Sequence, residues 1–181
     1  MRRRGEPGFT LIELLIVVAI IAIIASIAIP ALLRARMSGE EASAIASLRA
    51  INSSQNAFAS SCASGSFATV LSDLAIPPVI GGVPFISPDL GVGAPSVVKS
   101  GYTFDMQRAT DATSPVNPSC NGVAAAALAS GYYAFADPNI TPNGGRFFWT
   151  NTLGTIYYDV SGTLSGETLG STAPGRGSVL Q

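Results

Sequence analysis

A chain of 181 residues is enough for one modest domain plus an extra element. With 48% hydrophobic residues, 12% charged residues and a mean hydropathy of +0.41, it fits a membrane-associated or exported protein better than a cytosolic enzyme. The formal net charge is −1 and there is no histidine, so the commonest general base and the commonest metal ligand are missing together. No basic patch beyond the first four residues offers a surface to nucleic acid.

Residues 1–8, MRRRGEPG, are polar and basic. From Phe9 the character changes at once to FTLIELLIVVAIIAIIASIAIPALL. Residues 14–29 hold no charge, and Ser26 is their one polar side chain. As a helix the 25 residues 9–33 would span roughly 37 Å, enough to cross a hydrocarbon core of about 30 Å with some tilt. A secretory signal peptide has a shorter apolar region, of about 7–15 residues. A core helix rarely stays uncharged for so long. Hydropathy alone therefore describes a plain single-pass anchor.

Glu13 does not fit a plain anchor, because a carboxylate inside an apolar span costs on the order of 2–4 kcal/mol. The helix dipole offers partial relief in the first turns. A full positive charge would offer more. If the chain is cut after Gly8, Phe9 exposes an α-amino group that is positive near neutral pH. In a bundle of axially offset helices, that amine could meet a neighbour's Glu13 and set the stagger.

Gly8-Phe9-Thr10-Leu11-Ile12-Glu13, after a basic leader and before an uninterrupted apolar run, resembles the type IV prepilin signature. The likeness is dense over about the first 30 residues and looser over the rest. It implies an α+β pilin-like fold, in which a long N-terminal helix packs against a small antiparallel sheet. It implies cleavage between Gly8 and Phe9 by prepilin peptidase, N-methylation of Phe9, and a role for Glu13 in recruitment and register. Pro30 matches the family's helix proline and marks an expected kink, since it cannot donate to the carbonyl of Ser26. Implied partners are further copies of the chain, other pilins or pseudopilins, the peptidase and an inner-membrane assembly platform. The implied location is the bacterial inner membrane, single-pass with the N-terminus cytoplasmic, then a periplasmic or cell-surface filament. The arginines at 2–4 lean the same way, against Arg34 and Arg36 beyond the span. No cofactor is expected.

The expected organisation is a leader at 1–8, a long helix at 9–61 and a distal domain at 62–181. The helix's segment 9–33 serves for membrane anchoring and polymerisation. Gly39 is a weak point, and Ser38 with Glu41 fits a capping box where the helix could restart. Met37, Ala44, Ile51 and Phe58, joined by Leu48, form an apolar stripe expected to face the sheet. Cys62 and Cys120 are the two cysteines. Two in an exported domain point to one disulfide, with a pair of buried thiols as the alternative.

Prolines and glycines break residues 63–100 into an irregular connection, with room for a short helix at 68–74. Strands are expected at 102–106, 132–135, 146–150 and 155–160, the last two joined by a turn at 151–154. Residues 163–181 lack aromatics and read as a flexible tail.

Enzymatic motifs fail. The stretch 93–100 has Val98 where a phosphate loop needs glycine. A triad without histidine would have to rest on Lys99, the one lysine. Asp137, Asp159 and Glu167 are too dispersed for a dense calcium loop and read as solvated or turn carboxylates. The chain is thus read as a filament subunit rather than an enzyme. It is either a pilus subunit or, alternatively, a pseudopilin of a type II secretion system. A periplasmic binding domain tethered by its helix is the remote alternative, and it leaves Glu13 and the Gly8-Phe9 junction unexplained.

Overall fold

The structure, a computed structural model, describes residues 8–79, 81–92, 95–139, 145–163 and 170–180. The chain divides into two compact units, Met1–Gly39 and Glu40–Gln181. Helix α1 runs over Leu11–Ser61 without a break at Gly39. The restart expected at Ser38 does not occur, because Glu41 is engaged elsewhere. Its carboxylate accepts from the Arg146 guanidinium at 2.7 and 3.0 Å and from the Arg146 backbone N–H at 3.2 Å.

The fold is α+β, a long helix with antiparallel sheets. After α1 come β1 (Phe67–Ala68), the short helices α2 (Leu71–Leu74) and α3 (Pro88–Gly91), β2 (Ser96–Lys99) and β3 (Tyr102–Arg108). Then follow β4 (Leu128–Ala129), β5 (Tyr132–Pro138), β6 (Phe147–Asn151), β7 (Ile156–Asp159) and β8 (Ser178–Val179). Among the described residues the main sheet has the order β2-β3-β5-β6-β7-β8, every pair antiparallel, and β1 pairs with β4. The four expected strands are its centre, β3, β5, β6 and β7.

Both edge strands escaped the sequence reading. β2 joins β3 through Ser100 and Gly101, at φ 49° and 79°. Two successive positive φ values define the hairpin turn whose twist matches the strands. A Cβ at Gly101 would also sit 3.0 Å from the Glu40 carboxyl group. The signal was the Ser-Gly pair after Val97-Val98, hidden among many glycines.

The second half of α1 buries Ala44, Leu48, Ile51 and Phe58 against one face of the sheet, where Phe104, Met106, Tyr132 and Phe148 meet them. Met37, expected in the same stripe, is exposed. Polar side chains widen the buried face. Gln55 makes a two-point contact with Ala68, donating to its carbonyl at 2.7 Å and accepting from its N–H at 3.0 Å. Asn52 donates to the Thr150 hydroxyl at 2.9 Å and to the Gly154 carbonyl at 3.1 Å, and accepts from the Tyr132 hydroxyl at 2.9 Å. A buried amide that satisfies its partners fixes which strand lies against which helix turn. The Cys62–Cys120 disulfide holds the helix end, beside a backbone bond from Cys120 N–H to the Cys62 carbonyl at 2.8 Å.

The sheet is also covered on its other face. Tyr133, Trp149 and Tyr157 pack there with Ala109. Residues 170–180, read from sequence as part of a flexible tail, form a strap instead. Asp111 accepts from the N–H groups of Gly170 (2.9 Å) and Ser171 (3.2 Å) and from the Ser171 hydroxyl. These bonds to the charged form hold its carboxyl below the usual aspartate range. Asn151 donates to the Thr172 carbonyl at 2.7 Å, and β8 then pairs with Tyr157 and Tyr158. Gly170 lies so close that a Cβ there would meet the Ala109 methyl at 2.8 Å. None of this leaves a hydrophobic period in the sequence.

Two outcomes check this account. Gln55→Leu orphans both backbone groups of Ala68 and should destabilise the distal unit by about 2–4 kcal/mol. Urea unfolding of the detergent-solubilised chain, followed by Trp149 fluorescence, measures it, and an unchanged midpoint would refute the anchoring role. Asp137 has one buried carboxylate oxygen without a partner among the described residues, and burial raises its pKa above the usual 3.8 despite a bond from Thr163. The unfolded chain therefore ionises Asp137 first, and stability is lost as pH climbs through the interval up to the raised folded value. Asp137→Asn should match wild type at pH 3 and unfold at higher urea at pH 7; an equal deficit at both pH values would show that burial is not the cause.

Candidate assembly site

Sequence places the site residues within a few positions of one another, and the structure shows how the chain starts its helix there. Gly8, Phe9 and Thr10 precede α1 and are exposed. A Cβ at Gly8 would touch nothing within 4 Å. The Gly8-Phe9 peptide is non-helical backbone directly before helix α1.

Thr10 and Glu13 form a reciprocal cap. The Glu13 Oε2 atom accepts from the Thr10 backbone N–H at 3.0 Å and from its hydroxyl at 2.6 Å. The Thr10 hydroxyl oxygen in turn accepts from the Glu13 N–H at 3.3 Å. The first helical bond, Leu14 N–H to the Thr10 carbonyl at 3.3 Å, follows directly. This is a capping box, the T-x-x-E spacing that satisfies two of the donors every helix start leaves open. The spacing is present in the sequence here as it is at Ser38 and Glu41, but at Glu13 the charge in an apolar run is the more prominent feature. Both contacts use Oε2; Oε1 has no hydrogen bond among the described residues.

Beyond the cap the helix is long and apolar enough to cross a membrane, and none of the described residues buries that apolar stretch. Isoleucine, leucine and valine side chains are exposed all round it, from Leu11 at 82% to Val17 at 47%. A helix apolar on every side belongs in lipid or in a bundle of similar helices. Inside it the Ser26 hydroxyl donates to the Ile23 carbonyl at 2.8 Å, so the one polar side chain of the run is satisfied within its own turn. Pro30 lies inside α1, and the Arg34 side chain donates back to its carbonyl at 3.3 Å.

The distal carboxylates do not converge. Asp137 accepts from Thr163, Asp159 accepts from Ser161, and Glu167 lies outside the described residues. No group of three or more potential metal ligands occurs among the described residues.

A family profile described as the prokaryotic N-terminal methylation motif matches residues 3–29. Over those residues the chain is similar to type IV pilin-like proteins. The motif implies a structural protein that is processed by prepilin peptidase and assembled into filaments. With the apolar helix it is consistent with an inner-membrane anchor. No curated protein and no solved structure matches the chain.

The cap makes its own prediction. Thr10→Val removes the hydroxyl and should loosen the first turn of α1 by about 0.5–2 kcal/mol. Amide exchange at Glu13 and Leu14 in micelles should then quicken, with residues past Ile20 unchanged. No change at Glu13 would show that Thr10 does not cap the helix.

Proposed function

We propose that the chain is a structural subunit of a type IV pilus-like filament, cut after Gly8, methylated on Phe9 and polymerised out of the inner membrane. The observation that carries this reading is the run of features at the start of α1: an exposed Gly8-Phe9 peptide, a capped Glu13, and an apolar helix that none of the described residues covers.

On this reading the cap has a second use. An ionised carboxylate in an apolar segment must be hydrogen-bonded or paired. Thr10 supplies two donors to one oxygen while the subunit waits in the membrane, and the other oxygen is left to receive the Phe9 amine of a neighbour. The pair sets the axial register between helices, and Pro30 supplies a soft point at which the helix adjusts on assembly. The leader 1–8 is removed, and the distal part from residue 62 is carried on the outside of the filament.

A pseudopilin of a type II secretion system is the second reading, favoured by the short helix after the disulfide, α2, and by the aromatic hairpin of β6 and β7. The irregular connection at 63–100 favours the pilus. Shearing the cells and sequencing the released peptides separates them. A methylated peptide starting at Phe9 in the sheared fraction establishes a surface filament, and confinement of that peptide to membranes indicates a pseudopilus. Glu13→Ala should leave the cleaved subunit in the membrane and lower the filament yield about ten-fold or more, by loss of one buried charge pair. Only uncut chains, in cells with an active prepilin peptidase, would overturn the reading.

A further inference from the structure

The cations of residues 40–181 are nearly all occupied. Lys99 pairs with Asp89 at 2.6 Å and Arg146 with Glu41 at 2.7 Å. Arg108 donates to the Ser114 hydroxyl at 2.7 Å and the Ala112 carbonyl at 2.8 Å, and Arg176 donates to the Thr163 carbonyl. Arg49 is the exception. It is exposed on α1 and has no hydrogen bond or ion pair among the described residues.

Arg49 stands at a groove of about 210 Å³, lined further by Gly154, Thr155, Ile156 and Leu180. The carbonyls of that wall are already engaged. Gly154 accepts from Asn52 at 3.1 Å, Thr155 from the Thr150 hydroxyl at 2.9 Å, and Ile156 from the Leu180 N–H at 2.9 Å. The groove thus combines an apolar side, Ile156 and Leu180, with a guanidinium whose donors find no acceptor in the wall. Its shape is set by the same Asn52 and Thr150 bonds that lock helix to sheet. A planar guanidinium matches a carboxylate through two parallel bonds. A short aliphatic stem could lie along Ile156 and Leu180.

We propose that this groove receives an aspartate or glutamate side chain from a second copy of the chain, with Arg49 as the pairing cation. The inference rests on the filament reading above, which places like copies side by side. Charge complementarity supports that occupant: residues 40–181 carry nine carboxylates against five cations, a net −4, so a neighbouring copy brings a surplus of acid to a solitary arginine. Such a contact adds orientation and selectivity more than affinity, and it recurs at every subunit of a polymer.

The test uses the full chain in cells that make the filament. Arg49→Glu should lower the sheared yield about ten-fold while the membrane pool of cleaved subunit stays level, because like charges would then face each other. Arg49→Lys should retain most of the yield and adds an amine at position 49, where Lys99 is otherwise the one lysine. Zero-length carbodiimide treatment of those filaments should give a covalent subunit dimer, with position 49 joined by an amide bond to an Asp- or Glu-containing peptide. Wild-type yield from Arg49→Glu, or no dimer through position 49, would overturn the proposal. So would a loss confined to the membrane pool, which would assign Arg49 to an anionic lipid headgroup. Absence of the Phe9-initiated peptide from wild-type cells would instead remove the filament reading beneath it.

Discussion

Sixteen consecutive uncharged residues, 14–29, that none of the described residues buries are the constraint on which the rest depends. Apolar surface removed from water is worth about 25 cal/mol per Å², and none of the described residues covers this stretch of helix. Two surroundings can do so, a bilayer and a bundle of like helices. A helix suits both because its backbone bonds are satisfied internally. Ser26, the one polar side chain in the run, is consistent with either, since its hydroxyl bonds within its own turn.

Glu13 is where such a helix would ordinarily fail. The structure answers with the nearest available chemistry, a threonine three residues upstream whose N–H and hydroxyl both point at one carboxylate oxygen. The arrangement closes the open end of the helix and lowers the cost of the charge with the same atoms. The other oxygen has no hydrogen bond among the described residues. Helix start and charge accommodation thus rest on one side chain.

The distal unit is organised differently. Its sheet is covered twice, by the second half of α1 on one face and by the strap of residues 170–180 near the other. Polar side chains decide the alignment. Asn52 and Gln55 reach strand backbone and hydroxyls that apolar contacts could not distinguish, and Arg146 adds a paired contact to Glu41 while lying 5.2 Å from the ring centre of Tyr158. With those groups satisfied inside, the outer side of the helix is left with small side chains and Arg49. That asymmetry is what a subunit needs if one side of its helix is to hold the fold together and the other is to meet a neighbour.

Much of this was legible in the residues. An uninterrupted apolar run, the Gly8-Phe9 junction and Glu13 declare the class locally, because each is a matter of composition and spacing along one helix. The central strands could be read from aromatic and β-branched clusters between turns, and the helix stripe from its period. The edge strands and the strap could not. β2 and β8 are short; β2 forms a tight hairpin with β3 but lies in a run of prolines and glycines, and β8 meets β7 only after a long intervening stretch. Asp111 reaches Gly170 across 59 positions, a contact with no periodicity to betray it. The cap at Thr10 was fully encoded and was passed over, since one residue can satisfy two physical demands and the louder one hid the other. Sequence alone therefore determined where this chain must leave water. Tertiary structure alone decided which polar groups meet, and hence that Arg49 finds no partner among the described residues: pairing depends on distances between chain segments that no local pattern records.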